Sequence, residues 1–206
     1  MKHIKNVEYI DDRICRVILD DYTSLELDSF SVSQSGIAAD EDVEDEVIEE
    51  LIFGYECTKA QKEALKYLNS RMRTEKQIIK KLREKGFSEE TALRTAENMK
   101  QWGYIDDAAY ARAYIEYRLA GSKKSWRTIF YDLKLDGIDS EIIDSVKEDY
   151  DTDEYARANA VASEVLRGRN DEASLKRLNG ILARNGFGWD VINHTIRSIA
   201  SDEENY

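Results

Sequence analysis

Between residues 59 and 127 the sequence gathers the side chains best suited to meeting a charged partner. Arg71 and Arg73 bracket a turn, Lys76, Lys80 and Lys81 follow at helical spacing, and Arg112, Arg118, Lys123, Lys124 and Arg127 come later. Tyr104, Tyr110, Tyr114, Tyr117 and Trp126 are interleaved with them. Guanidinium and ammonium groups pair phosphates or carboxylates, and aromatic faces stack on bases or anchor a protein interface. This is the chemistry of recognition. For any single residue a plainer reading stands beside contact: Tyr110, Tyr114 and Tyr117 have the spacing of a helical core face, and Lys80, Lys81 and Lys85 that of a solvated one. The cluster as a whole favours contact.

Bond-making chemistry has no comparable foothold. His3 sits at the chain start and His194 lies between Ile192 and Ile196 in a helical pattern, where a lone His is most often structural. There is no Gly-x-Ser-x-Gly and no Walker-type phosphate loop. The paired acids Asp11-Asp12 and Asp106-Asp107 stand where turns and helix caps want them. Cys15 and Cys57 have no metal-ligand spacing and read as reduced, partly buried thiols. The expectation is a binding protein with no catalytic residues, no metal and no cofactor.

Charge is divided along the chain. Residues 1–58 hold 4 Lys/Arg against 16 Asp/Glu, residues 59–127 hold 17 against 9, and residues 128–206 hold 9 against 17. The net charge of −12 therefore hides a basic middle between acidic ends. Such asymmetry speaks of partners and not of fold. No apolar run approaches the roughly 18 residues of a membrane span, and the polar start does not resemble a signal peptide, so a cytoplasmic protein is expected.

The elements that must position these side chains are written as a repeat. Leu82-Arg-Glu-Lys-Gly86-Phe87 recurs as Leu133-Lys-Leu-Asp-Gly137-Ile138 and as Leu182-Ala-Arg-Asn-Gly186-Phe187, with the glycines 51 and 49 residues apart. Ile78, Ile129 and Leu178 stand one helical turn before each Leu, and Ala92, Ile143 and Ile192 six residues after each Gly. Each unit reads as an amphipathic helix closed by a C′ glycine, an apolar plug and a second amphipathic helix, with a third helix in front. Three such units make a tandem array. The chain has no proline, so its helices are unbroken and its turns fall to Gly, Asp, Asn and Ser. Thr74-Glu-Lys-Gln77 has capping-box spacing, and Ser88, Asp106-Asp107, Ser125, Asp139, Thr152 and Asn170 are further expected caps.

Residues 4–27 follow another pattern. They are rich in Val, Ile, Tyr and Thr and are broken by acidic doublets, which predicts two or three short antiparallel strands. The pattern fades over 31–39, and Val43, Val47 and Leu51 then mark a helix. The predicted fold is mainly α: nine helices in three three-helix repeats, elongated and curved, with a small β-rich N-terminal extension. The expected limits are 1–57 for the extension, 58–105, 106–151 and 152–206 for the repeats, with a frayed acidic tail at 201–206.

Two stretches carry a family resemblance: Ala64-Leu-Lys-Tyr-Leu-Asn-Ser-Arg-Met-Arg-Thr-Glu-Lys-Gln-Ile78 and Gly103-Tyr-Ile-Asp-Asp-Ala-Ala-Tyr-Ala111, joined by Asn185-Gly-Phe187. Over residues 60–200 the chain resembles the RecX family of regulatory proteins. The resemblance implies an array of three-helix repeats that binds the RecA recombinase filament on single-stranded DNA and inhibits its recombinase and ATPase activities. A monomer off the membrane is expected, with a possible weak direct DNA contact through the basic residues 59–127. The turn Gly121-Ser-Lys-Lys-Ser-Trp126 departs from the family pattern, in which Gly or Pro is often closer to the helix start.

Overall fold

The computed structural model describes residues 1–201; the acidic tail expected at 201–206 lies, from residue 202 onward, outside the described residues. The described chain forms two compact units. One comprises Met1–Met72 with Ile78–Ile105, the other Arg73–Gln77 with the chain from Asp106 on.

The first unit opens with β1 (Lys2–Tyr9), β2 (Ile14–Leu19), β3 (Ser24–Asp28), α1 (Ser29–Ser35) and β4 (Glu41–Val43). The strands form an antiparallel sheet in the order β3-β2-β1-β4. Val7 pairs with Val17 and Cys15 with Leu27, and the ladder slips once between Ile4 and Asn6. One face of the sheet buries Ile4, Cys15, Val17, Leu19 and Leu27 against Val32 of α1 and Ile48 of α2 (Asp45–Leu68). α1 and β4 were not foreseen. Ser29-Phe-Ser-Val-Ser alternates with period two, yet the Asp28 carboxylate caps it by accepting from Ser31 N–H, and Gly36 ends it at φ +73°.

α2 alters the expected division. The limit set at 57/58 lies inside this unbroken helix, whose first half packs on the sheet through Val47, Ile48 and Leu51. Its second half enters the first repeat through Ala60 and Ala64. With no Pro in the chain and small residues at the crossover, nothing interrupts the hydrogen-bond ladder.

α3 (Glu75–Glu84) and α4 (Glu89–Gln101) complete the first repeat. α5 (Asp107–Gly121), α6 (Trp126–Leu135) and α7 (Ser140–Lys147) form the second, and α8 (Glu154–Leu166), α9 (Glu172–Arg184) and α10 (Trp189–Ser201) the third. The described residues thus hold ten helices, the nine of the repeats plus α1. Each repeat has its own core: Ile78, Leu82 and Met99; then Ile115, Ile129, Leu133 and Ile143; then Val161, Leu178, Leu182 and Ile192.

The repeated phrase is a helix stop. The N–H of Phe87, Ile138 and Phe187 donates to the carbonyl of Leu82, Leu133 and Leu182, at 3.2, 3.0 and 3.2 Å. The intervening Gly86, Gly137 and Gly186 take φ of +93, +93 and +86°. This is the Schellman arrangement, and the residue after the glycine folds back onto the core its Leu lines.

Candidate interaction face

In the second unit two helix amino ends, at 73–77 and 125–128, meet two helix carboxyl ends. At the amino end of α3, Thr74 is fully buried, and its hydroxyl donates to the Asp136 carbonyl at 2.7 Å. Gln77 Nε2 donates to the Asp136 carboxylate at 3.1 Å, and the Lys76 stem lies over Gly137. The amino end of α6 repeats the device on α9. Ser125 N–H and the Thr128 hydroxyl both donate to the Asn185 carbonyl, at 3.0 and 3.1 Å, beside Gly186. Positive helix amino ends meet negative carboxyl ends, and glycine makes the close approach possible.

These joints set the phase of the basic side chains. Lys76, Arg127 and Lys176 each stand ten residues before a closing glycine. All three are exposed, and no ion pair among the described residues engages them. Lys134 of α6 and Arg177 and Arg184 of α9 are exposed and unpaired in the same way. In the first unit Arg71 and Lys80 are exposed without a charged partner, whereas Lys81 lies 3.6 Å from Glu84. Arg73 is half-buried and has partners of its own.

Several other expected contact residues are spent inside the second unit. Arg112 binds Asp149 at 2.8 Å, Lys123 pairs with Glu164, and Lys124 pairs with Asp132. Tyr114 donates to Asp132 at 2.7 Å, and the Arg118 guanidinium lies 4.8 Å from the Tyr114 ring. Burial, and then the bond to Asp132, push the Tyr114 pKa up to about 12. Burial alone would raise Asp132, but bonds from Lys124 and Tyr114 and the Arg118 charge outweigh it and hold the carboxyl below its ordinary range. Trp126 is a correction: it is 5% exposed and stacks on Phe130, which removes it from the solvent surface. Of its basic neighbours, Arg127 is exposed on α6, while Lys123 and Lys124 lie half-buried in ion pairs before the helix begins.

The acids before α5 also divide their work. Asp106 caps α5 by accepting from Ala109 N–H, while buried Asp107 accepts from Glu75 N–H at 3.0 Å and so serves the start of α3. Thr152 and Asn170 are each one residue early, the caps being Asp153 and Asp171.

Glu154 and Arg157 of α8 escaped the sequence reading. The Glu154 carboxylate accepts from Trp126 and Arg127 N–H at 3.2 and 2.8 Å, completing the amino end of α6. Arg157 donates to the Ser122 and Lys124 carbonyls at 2.6 and 3.3 Å and so fixes the turn that departs from the family pattern. An open groove of about 870 Å³ on the third repeat, lined by Tyr155, Trp189, His194 and Arg197, was also unforeseen. No cluster of three metal-ligating side chains occurs among the described residues, and none of their helices is long and apolar enough to cross a membrane.

Fold and face together define a tandem three-helix-repeat protein that presents cations in phase with its repeats. The model of the first three-helix domain of RecX matches residues 60–98, and that of the second matches residues 106–146. A regulatory protein RecX of Clostridium acetobutylicum is 30% identical over 177 residues, covering 82% of this chain and 80% of that one. The RecX of Bacillus licheniformis is 31% identical over 160 residues, 76% of this chain and 60% of the relative's length. The RecX of Caldanaerobacter subterraneus is 29% identical over 180 residues, 87% of this chain and 90% of that one. A crystal structure of a regulatory protein RecX shares the fold, with a TM-score of 0.68 at 22% identity over 96% of this chain and all of that one. The chain belongs to the RecX family of regulatory proteins.

Proposed function

We propose that this chain binds the RecA recombinase filament on single-stranded DNA and restrains its strand exchange and ATP hydrolysis, acting in homologous recombination, DNA repair and the SOS response. It does so as a cytoplasmic monomer and not as an enzyme. The observation that carries this reading is the trio Lys76, Arg127 and Lys176: exposed, unpaired cations recurring at one position of each repeat. A regular series of cations suits a regular series of anionic groups, whether filament carboxylates or DNA phosphates. Membership of the RecX family supplies the partner. The basic segment 59–127 adds a weak, salt-sensitive contact with DNA.

The test is a strand-exchange reaction by purified RecA with the chain added in increasing amounts. Inhibition at far fewer chains than RecA subunits, with a parallel fall in ATP hydrolysis, is expected. Inhibition appearing only as the DNA itself becomes saturated would mark a simple competitor for DNA and sink the proposal.

A further inference from the structure

The three middle helices end alike but are not covered alike. At α6 the space beside Gly137 is filled by the Lys76 stem, and at α9 the space beside Gly186 is filled by Thr128 and Ser125. In both cases the covering group is the first turn of a helix whose hydroxyl donates to the carbonyl just before the glycine. At α3 the backbone is the same, with Gly86 at φ +93°, yet nothing lies within 4 Å of where its Cβ would stand. No hydrogen bond reaches the Lys85 carbonyl among the described residues.

We propose that the carboxyl end of α3 is a docking socket for the amino-terminal turn of a helix from a partner protein, one that begins with Ser or Thr. The chain itself shows the chemistry twice. A hydroxyl of the incoming first turn, Thr74 at the cap of α3 and Thr128 in α6, satisfies the carbonyl left over at a helix end, joined in α6 by the Ser125 N–H, and the partial charges of the two ends attract. The glycine leaves room for the incoming side chain.

A second copy of this chain does not supply the plug. In register with Thr74 and Ser125 stands Ser174, each twelve residues before its glycine. α9, however, starts a turn earlier, capped by Asp171. The Asp171 carboxylate takes both the Ser174 N–H at 3.0 Å and the Ser174 hydroxyl at 2.7 Å. The residue in docking register is inside the helix, its N–H and hydroxyl are both taken, and a carboxylate precedes it.

The inference rests on the proposed function in one respect: the partner used as probe is the RecA filament on single-stranded DNA. Gly86→Asn fills the socket with a residue that tolerates positive φ. Gly36→Asn, at the equally open positive-φ glycine that ends α1 but has no covered counterpart in the repeats, is the control for strain. Filament affinity is read by fluorescence anisotropy, self-association by sedimentation and folding by melting. Gly86→Asn is expected to bind the filament about tenfold or more weakly, while Gly36→Asn matches the wild type. Gly86→Ala, which adds one methyl, carries the same test if Gly86→Asn does not fold. Undiminished binding by the Gly86 variants, with the wild type bound, overturns the socket alone. A wild-type chain that ignores the filament overturns the proposed function and this partner together. Self-association lost in the Gly86 variants, at unchanged filament affinity, overturns the proposal by giving the socket to a second copy.

Discussion

Tyr114 donates its hydroxyl hydrogen to Asp132 Oδ2 at 2.7 Å, joining α5 to α6 within the second repeat. One turn away Tyr110 does the same to Asp136 at 2.9 Å. Asp136 is also the residue on which the amino end of α3 docks. The pair therefore belongs to a ladder of bonds on Asp132 and Asp136 that runs, within the second unit, from α5 to the first turn of α3. Tyrosines that in sequence look like stacking platforms serve here as donors to buried-side carboxylates.

Tyr114→Phe removes the donor while Lys124 and Arg118 still face Asp132, so a loss of about 1 kcal/mol at neutral pH is expected in urea unfolding. The pH dependence has a defined sign. The folded pKa of Tyr114, about 12, exceeds the ordinary value. Its contribution is complete below about pH 10, the unfolded tyrosine pKa, and fades as pH rises toward the folded value. The variant should show a shallower alkaline loss over that window. Asp132, held low, acts in the opposite direction: its contribution is present above the ordinary carboxylate pKa and is lost as pH falls through the folded one.

The glycines should separate by what covers them. Gly86→Ala meets only the conformational penalty of positive φ, about 1 kcal/mol. At Gly186 a new Cβ would run into Thr128 Oγ1, and at Gly137 it would lie 2.5 Å from Lys76 Cβ. Those two substitutions should cost about 2–3 kcal/mol or more, because a joint must open as well. Thermal melts of the three variants compare them directly, and equal losses would contradict the joint geometry.

Glu154→Ala strips the amino end of α6 of its carboxylate, and a loss of about 1 kcal/mol is expected. Amide hydrogen exchange at Trp126 and Arg127 should quicken, with little change in α10. Arg157→Ala leaves the Ser122 and Lys124 carbonyls without their donor, at about 1–3 kcal/mol.

Charge reversal should sort the cations. Lys76→Glu, Arg127→Glu and Lys176→Glu together should weaken RecA inhibition by about tenfold or more, with little change in melting temperature for Arg127→Glu and Lys176→Glu, which are unpaired, and a modest fall for Lys76→Glu, whose stem packs on Gly137. Lys124→Glu, facing Asp132, should lower the melting temperature. Unchanged inhibition by the triple variant would leave these cations as a solvated face.

Much of this fold was legible because its punctuation is local. Leu82, Gly86 and Phe87 form a stop that closes within five residues, so its threefold recurrence marks the array in sequence. The joints were not legible. Thr74 and Asp136 stand 62 residues apart, and nothing near either says that a hydroxyl will meet that carbonyl. Glu154 and Arg157, three apart on a helix, look like an ordinary surface pair until the turn they hold is known. Trp126 sits among Lys123, Lys124 and Arg127, and only the three-dimensional fold separates the buried ring from its charged neighbours. Within the basic cluster, composition marked the region but not which cations acids would neutralise.

α2 has a mechanical consequence. One helix serves the core of the sheet through Ile48, Leu51 and Ile52 and the core of the first repeat through Ala60 and Ala64. A helix turns about 100° and advances about 1.5 Å with each residue. The short stretch between Ile52 and Ala60 therefore works like a keyed shaft. A single residue inserted there would swing the sheet rather more than a quarter of the way around the repeat, and both cores could keep their partners only if the helix broke.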